Sequence, residues 1–221
     1  NERFLPALEI FQEKVKSLSP GRQKNKALKM VNLLSILKEQ TSQKLNGEKH
    51  IENRIVSLDD PDARPIKKGK GYPECEFGTT AQMSFNRQGF MITVENLIGN
   101  PGDKTLYPDT LELYIKRTKG CPDNVVTDLG FRSRDNFKKT PEEVTNVFLG
   151  RSSDVKGEEQ RDFCQKSRSA TEGFIAVAKN LRGFGKSLRH TLKGHKMWSL
   201  ICQTAYNLKK FLQLYNEEEI E

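Results

Sequence analysis

The sequence predicts an α/β fold, in which a mixed β-sheet carries helices on its faces and a helical hairpin precedes it. Two long amphipathic segments at the start, hairpin-linked apolar runs in the middle and helical repeats toward the end support this prediction. The chain has 221 residues, 35% of them hydrophobic, which suffices for one substantial core. It lacks any run of about 18 apolar residues, and this excludes a transmembrane helix.

The first fifty residues are expected to form an N-terminal helical segment, 1–50. Apolar side chains recur at three- and four-residue steps over residues 2–18, and Ser19-Pro20-Gly21 ends that helix. The same spacing continues over residues 22–45, which predicts a second helix. A polar linker follows at 46–53 and separates this helical hairpin from the rest of the chain.

The rest of the chain alternates between strands and helices. The predicted strands are 54–58, 77–85, 90–97, 124–127 and 147–149. The predicted helices are 103–119, 141–146, 163–182 and 195–216, with a polar loop at 151–162. Residues 86–89 (NRQG) have the composition of a hairpin turn between two strands. This order is that of the RNase H-like fold, which we assign to residues 51–216, followed by an acidic tail at 217–221.

The charge balance indicates a polyanionic partner. The chain has 37 Lys and Arg against 29 Asp and Glu, a formal net charge of +8, which favours nucleic acid or an anionic membrane surface. From Lys166 to Lys210 there are ten basic residues, and Glu172 is the only acid, a pattern that suits a phosphate backbone. The four cysteines are far apart and histidine is scarce, so the sequence favours reduced thiols over a zinc site.

Acidic residues near the predicted strand ends are candidate metal ligands. Asp60, with Asp59 and Asp62 beside it, follows the first predicted strand. Asp128 ends the fourth strand, and Glu172 lies on a late helix. Clustered carboxylates repel one another and need hard divalent cations such as Mg²⁺ to stay together. Two such ions can activate an attacking hydroxyl and stabilise a leaving one in phosphodiester cleavage or transfer.

Glu172 also has basic neighbours at helical spacing. Arg168 precedes it by four residues and Lys179 follows it by seven, so all three are expected on one helical face. The carboxylate would then face metal ions while the flanking cations reach phosphates. The simpler interpretation of Arg168 and Glu172 is a solvated ion pair, and an Asp after a strand is often only a turn former.

Five segments occur in an order that is shared with a known family. They are SLDDPDARPIKKGKG with a following EFG, GNPGDKTL, VVTDLGFRSRDN, TEGFIAVAKNLRGFGKSL and AYNLKKF. Together they resemble the catalytic domain of bacterial insertion-sequence DDE transposases, over residues 54–212. The resemblance implies an RNase H-like fold whose acidic triad binds two Mg²⁺ or Mn²⁺ ions and cuts and joins DNA.

The resemblance also implies roles for single residues. The second acid of the family lies in a D-x-G-[FY] turn, which Asp128 begins here. The third lies in a Y-x2-R-x3-E-x6-K signature, in which Arg168, Glu172 and Lys179 match and Gln165 replaces the tyrosine. The implied catalytic residues are Asp60, Asp128 and Glu172, and the implied metal ligands are Asp60, Asp62, Asp128 and Glu172. The first acid stays open among Asp59, Asp60 and Asp62. The expected DNA-binding residues are Arg168, Lys179, Arg182, Lys186 and Arg189.

A metal-dependent DNA transposase is therefore the function that the sequence favours. Its expected partners are DNA, as element ends and target, and a second copy of the chain on DNA, with no membrane. The expected location is the bacterial cytoplasm, in association with the nucleoid. Two other functions remain open: a truncated, non-catalytic DNA-binding relic of a transposase, and an RNase H-like nuclease acting on RNA or hybrid duplexes.

Several conspicuous residues have simpler interpretations. The simpler interpretation of the basic stretch at Lys67, Lys68 and Lys70 is a solvated turn. Contact of these lysines with DNA is the alternative. Trp198 and Phe211 are expected in the core because they recur at helical spacing. Cys164 is expected to be a buried thiol, since no histidine is placed by the sequence to activate it.

Overall fold

In a computed structural model, which describes residues 4–67 and 75–218, the chain divides into two units, Asn1–Arg64 and Pro65–Glu221. The sequence predicts the boundary at residue 50. The predicted α/β class is confirmed, because small sheets and flanking helices make up the second unit.

The first unit contains both predicted helices. They are α1 (Phe4–Ser17) and α2 (Arg22–Leu45), which pack against each other. Near the end of α1, the ammonium of Lys24 donates to the carbonyls of Lys16 at 3.1 Å and Leu18 at 2.7 Å. A helix end leaves carbonyls without partners, so this lysine from the second helix stabilises the turn between the two.

The strand predicted at 54–58 is wrong. The buried amide of Gln40 on α2 accepts from the backbone nitrogen of Ile55 at 3.0 Å and donates to the carbonyl of Asn53 at 3.3 Å. A side chain therefore satisfies backbone groups at the start of this segment, and residues 54–58 pair with no strand. The β-branched composition that predicts a strand is overridden by this local contact.

Because residues 54–58 are not a strand, Asp59, Asp60 and Asp62 lie in a turn that precedes the first strand and does not follow it. The strand β1 is Arg64–Lys67, beyond Asp62 in the chain. The backbone nitrogen of Asp60 donates to the hydroxyl of Ser57 at 3.1 Å, and the nitrogen of Ala63 donates to the carbonyl of Asp60 at 3.0 Å. Residues 57–63 thus form hydrogen-bonded turns.

The described strands form two separate sheets and not the single mixed sheet that the sequence predicts. The first sheet has the order β1, β2 (Cys75–Phe85), β3 (Met91–Ile98), and β2 and β3 pair antiparallel, as predicted for a hairpin. The second sheet pairs β4 (Asn124–Thr127) with β5 (Asn146–Leu149) in parallel. The strand positions after residue 74 agree with the prediction to within two residues.

The second unit has four α-helices among its described residues: α3 (Asp103–Thr118), α4 (Arg134–Lys139), α5 (Glu158–Leu181) and α6 (Thr191–Glu218). The predicted helix at 141–146 is wrong, because the helix in this region, α4, begins seven residues earlier. Ser133 caps α4, and its hydroxyl accepts from the backbone nitrogen of Asn136 at 3.0 Å. The predicted loop 151–162 is too long, since α5 already begins at Glu158. No described helix has the length and apolar character required to cross a bilayer.

Helix α5 touches both sheets through its two ends. Near its start, Cys164 is fully buried against Phe148 of β5 and Val155. Near its end, Ala178 is fully buried with Met91 and Val94 of β3. Residues 168–172 lie between these two points, so packing at both ends fixes where the middle of α5 runs.

Helix α6 covers the free edge of β3 with side-chain amides. The amide of Asn207 accepts from the backbone nitrogen of Met91 at 2.8 Å and donates to its carbonyl at 2.9 Å. Gln203 donates to the carbonyls of Met91 and Ile92 at 2.9 and 3.1 Å. An edge strand presents unpaired backbone groups, and here two amides satisfy them in place of another strand. Tyr206, between these amides, is buried in the core.

Of the three expectations about conspicuous residues, the one for Cys164 holds, Trp198 is only partly buried, and Phe211 lies outside the core. Cys164 is buried, and burial raises the pKa of its thiol. Trp198 is half-buried and donates its indole N–H to the carbonyl of Gly183 at 2.9 Å. Phe211 is 55% exposed, so its expected place in the core is wrong. Its helical spacing is real, but it belongs to the outer face of α6.

Candidate functional site

Two of the predicted acids, from different elements, meet at one arginine. Asp128 follows β4 and caps the short 3-10 turn Leu129–Phe131, and Glu172 lies on α5. The Nε of Arg168 lies 3.9 Å from Oδ1 of Asp128 and 3.5 Å from Oε1 of Glu172. The two carboxylate oxygens are therefore no farther apart than the sum of those distances.

This acidic pair is open to solvent. The side chains of Asp128 and Glu172 are 68% and 65% exposed, and that of Arg168 is 43% exposed. Ion pairs this loose and this exposed contribute only about 0 to 1 kcal/mol to stability. The arrangement thus adds little to folding, and it leaves both carboxylates accessible to cations from solvent.

A buried carboxylate holds the turn that carries Asp128. The side chain of Asp154 is 1% exposed and forms an ion pair with the guanidinium of Arg132, four residues after Asp128. Asp154 also accepts from the backbone nitrogens of Leu149 at 2.9 Å and Arg151 at 3.1 Å. The turn after β4 is thereby fixed to the end of β5, which lies beside it.

Two glycines allow close contacts around this turn, one with backbone and one with a side chain. Gly150 has a φ of +88°, and a Cβ there would lie 2.5 Å from the backbone nitrogen of Leu129. Only glycine allows β5 to end so close to the Asp128 turn. On another side, a Cβ at Gly130 would collide with the carboxylate of Asp103 at the start of α3. Sequence reasoning missed Asp154, Gly150 and Asp103. The signal available for Asp154 was an acid in a short polar stretch directly after a buried strand.

The position at which the family signature has tyrosine makes a contact of a different kind. The amide of Gln165 on α5 donates to the hydroxyl of Ser152 at 3.1 Å. Ser152 belongs to the same turn as Asp154. Gln165 therefore links α5 to the segment that supports Asp128, one helical turn before Arg168.

The first predicted acid belongs to the other unit. Asp59, Asp60 and Asp62 lie in Asn1–Arg64, whereas Asp128 and Glu172 lie in Pro65–Glu221. Within residues 4–67 and 75–218, no group of three or more His, Cys, Asp or Glu side chains is close enough to hold a metal ion. The described residues thus provide a pair of carboxylates, whose oxygens are the ligands that Mg²⁺ prefers, with a guanidinium between them.

The predicted DNA-binding residues follow one another around the end of α5. Lys179, Lys186 and Arg189 are exposed, and Arg182 is half-buried. After α5 the chain folds back, since the nitrogen of Gly185 donates to the carbonyl of Lys179 at 3.1 Å. A Cβ at Gly185 would lie 2.8 Å from that same carbonyl oxygen, so glycine is required for this turn.

Of the basic turn predicted at Lys67, Lys68 and Lys70, the structure describes one residue. Lys67 ends β1 and is exposed, while Lys68 and Lys70 lie outside the described residues. The connection between α5 and α6 is held by the contact of Trp198 with Gly183, so its cations project from a fixed backbone. An electropositive surface of this kind suits a phosphate backbone.

Comparison with known proteins provides no relative for this chain. No family model, no curated protein and no solved structure matches it.

Proposed function

We propose that this chain is the RNase H-like catalytic domain of an insertion-sequence DDE transposase, which cuts and joins DNA. The observation that carries the proposal is the meeting of Asp128 and Glu172 at Arg168. Both acids belong to motifs of the family signature, one following a strand and the other on a late helix. A shared site for two acids that are distant in sequence is what the signature implies.

In this proposal Asp128 and Glu172 would serve as ligands of the Mg²⁺ or Mn²⁺ ions, and the first acid of the triad stays open among Asp59, Asp60 and Asp62. Such ions lower the pKa of a bound water and stabilise the leaving oxygen in phosphodiester chemistry. The chain's own groups prepare that site. Arg168 offsets the repulsion between the two carboxylates, and Asp154 fixes the turn that presents Asp128.

The basic residues around the end of α5 bind DNA in this proposal. Lys179, Lys186 and Arg189 are exposed and bring positive charge to phosphates through point contacts. Affinity is then expected to fall steeply as salt rises. The proposed substrates are element ends and target DNA, a second copy of the chain joins on DNA, and the proposed location is the nucleoid of a bacterial cell.

The test is nicking of supercoiled DNA in the presence of Mg²⁺ or Mn²⁺. Asp128→Asn and Glu172→Gln remove one charge each from exposed side chains and are expected to lower nicking by more than about 100-fold. Asp109→Asn and Glu142→Gln are matched controls, because both are exposed acids elsewhere in the same unit. Equal activity of all four variants would overturn the catalytic assignment.

The first acid is identified by the same assay. Asp59→Asn, Asp60→Asn and Asp62→Asn are compared singly, and loss of nicking in Asp60→Asn with retention in the other two is the expected result. Loss in Asp62→Asn instead would assign the role to that residue. If all three retain full nicking, the aspartate turn supplies no ligand and the proposed triad is wrong.

A non-catalytic DNA-binding relic is the second candidate, and one observation favours it. Gln165 stands where the signature has tyrosine, and it is already bonded to Ser152. Salt-sensitive DNA binding by the wild-type chain without any nicking would support the relic. Cleavage of RNA–DNA hybrid in preference to duplex DNA would instead point to an RNase H-like nuclease.

A further inference from the structure

The turn between α1 and α2, together with the start of α2, carries a run of cations without any acid. Between Glu13 and Glu39 the sequence has no aspartate or glutamate. The lysines and arginines of this stretch are Lys14, Lys16, Arg22, Lys24, Lys26, Lys29 and Lys38. All of them lie among the described residues, in the first unit, and the function proposed above uses none of them.

Three of these cations share one face of α2. Arg22, Lys26 and Lys29 follow one another at steps of four and three residues, which places them on one side of a helix. All three are exposed. Within the part of the chain that the structure describes, none of the three forms an ion pair or a side-chain hydrogen bond. We refer to these three residues as the basic face of α2, and their charges are available to an external anion.

The basic face does not stabilise the helix that carries it. The first turn of a helix is partially positive and therefore favours acidic side chains, yet α2 has no acid there and begins with Arg22. Lys24 has a structural role, because its ammonium donates to the carbonyls of Lys16 and Leu18 at the end of α1. The basic face makes no such contact. A local rule that is broken without a structural gain is typical of a functional site.

The end of α1 adds positive charge to the same turn. The last carbonyls of a helix carry partial negative charge, but here Lys24 covers two of them, and Lys14 and Lys16 lie in the last turn of α1. Glu13, the nearest acid before the run, already pairs with Lys16 at 2.6 Å. The turn and the start of α2 thus form a continuous electropositive surface.

We propose that the basic face of α2 binds the phosphate backbone of duplex DNA. At a rise of 1.5 Å per residue the three cations span about 10 Å, a length over which a duplex presents several phosphates. The exposed amides of Gln23 and Asn25 lie beside them and can donate to phosphate oxygens as well. That the duplex is DNA rests on the proposed function, whereas the affinity for a phosphate backbone rests on the surface itself.

Other polyanions fit this surface less well. Proteins bind single strands by stacking bases on aromatic side chains, and residues 12–71 contain no Phe, Tyr or Trp. A helix on a membrane surface inserts the apolar face opposite its cations, but the opposite side of α2 packs against α1. Leu28 and Met30 are 42% and 39% exposed. They lie about 160° apart around the helix, so they do not form one apolar face.

The test is binding of the full chain to a fluorescent DNA duplex without metal, measured by anisotropy over a range of salt concentrations. The triple variant Arg22→Gln, Lys26→Gln, Lys29→Gln is expected to bind more than about 10-fold more weakly. Its logarithmic salt dependence should be shallower by about 2 to 3, since each lost phosphate contact removes about 0.9. The basic residues at the end of α5 supply the remaining affinity.

The matched control removes the same charge from exposed positions elsewhere in the first unit. It is the triple variant Lys38→Gln, Lys44→Gln, Lys49→Gln, whose cations lie near Glu39 and Glu48 in sequence. Its affinity is expected to stay within about twofold of wild type. Circular dichroism would verify that both triple variants keep their helices.

Equal affinity and equal salt dependence in the two triple variants would overturn the proposal. So would a loss confined to an RNA duplex of the same length, or to vesicles of phosphatidylglycerol, with binding to DNA unchanged. The charge-preserving variant Arg22→Lys, Lys26→Arg, Lys29→Arg is expected to bind DNA as wild type does. Because binding is measured without metal, a wild-type chain that binds but does not nick would contradict the catalytic proposal alone.

Discussion

Asp154 and Arg132 form an ion pair in which the carboxylate is almost completely buried, 1% exposed, while the arginine is 27% exposed. The pair joins the turn after β4 to the end of β5, and Asp154 also accepts from two backbone nitrogens. This buried contact supports the turn that begins at Asp128, four residues before Arg132.

We expect Asp154→Ala to lower the free energy of unfolding by about 3 kcal/mol, because a half-buried arginine and two backbone nitrogens lose their acceptor. Urea denaturation measures this change. Asp162→Ala is the control, since Asp162 pairs with Lys166 at 2.6 Å but both side chains are more than half exposed. The control is expected to change stability by less than about 1 kcal/mol. Equal losses in the two variants would contradict the buried role of Asp154.

Arg168 is expected to matter for activity and not for stability. In Arg168→Gln the two carboxylates lose the cation between them, so we expect a loss of nicking, with a change in unfolding free energy below about 1 kcal/mol. Arg168→Lys keeps the charge and should retain part of the activity. Lys166→Gln is the matched control, because it removes a cation two residues away on the exposed side of the same helix. Unchanged nicking in Arg168→Gln would remove the arginine from the site.

The edge of β3 gives a third prediction. In Asn207→Leu the nitrogen of Met91 loses its acceptor, whereas its carbonyl keeps the bond from Gln203, so we expect the free energy of unfolding to fall by about 1 to 3 kcal/mol. Denaturant unfolding measures the loss. Asn216→Leu is the control, since Asn216 is an exposed asparagine nine residues later on the same helix. If Asn207→Leu leaves the free energy of unfolding unchanged, water replaces the amide at this edge.

The parts of the site that could be predicted are those with local signals. Helical spacing placed Arg168 and Glu172 on one face, and the D-x-G-F turn placed Asp128 after a buried strand. Both were within reach of the sequence because each depends on residues at most four positions apart. Their meeting is a tertiary event, and the sequence suggested it only through the family resemblance.

The parts that could not be predicted depend on contacts between distant residues. Residues 54–58 have strand composition, yet Gln40 of α2 supplies the partner that a neighbouring strand would have supplied. Phe211 has core spacing, but the face of α6 that enters the core is selected by Gln203 and Asn207, through the edge of β3. Periodicity finds an apolar stripe on a helix, and it does not say which neighbour covers that stripe.

The thiols give a prediction about pH. Burial raises the pKa of Cys164 and of Cys202 above the ordinary value of 9.0, so their thiolate fraction is low in the folded chain at any pH below that value. Since the thiolate is the reactive form, both are expected to react with a thiol reagent only after denaturant is added. Cys75, which is half-buried, is expected to react first in the folded chain.

The same raised pKa values make stability depend on pH. A thiol whose pKa is higher in the folded chain ionises first in the unfolded chain, so the folded state loses stability as pH rises through the ordinary thiol pKa of 9.0. Buried Tyr107 and Tyr206 add to this loss above 10.0, since burial raises the pKa of both. We expect the urea midpoint of unfolding to fall between pH 8 and pH 10. The double variant Cys164→Ala, Cys202→Ala should show a smaller fall. For each protein the midpoint is compared with the midpoint of the same protein at pH 7. Cys75→Ala is the control, and it should leave the slope unchanged. A slope that is equal in all three proteins would show that other groups dominate the alkaline loss.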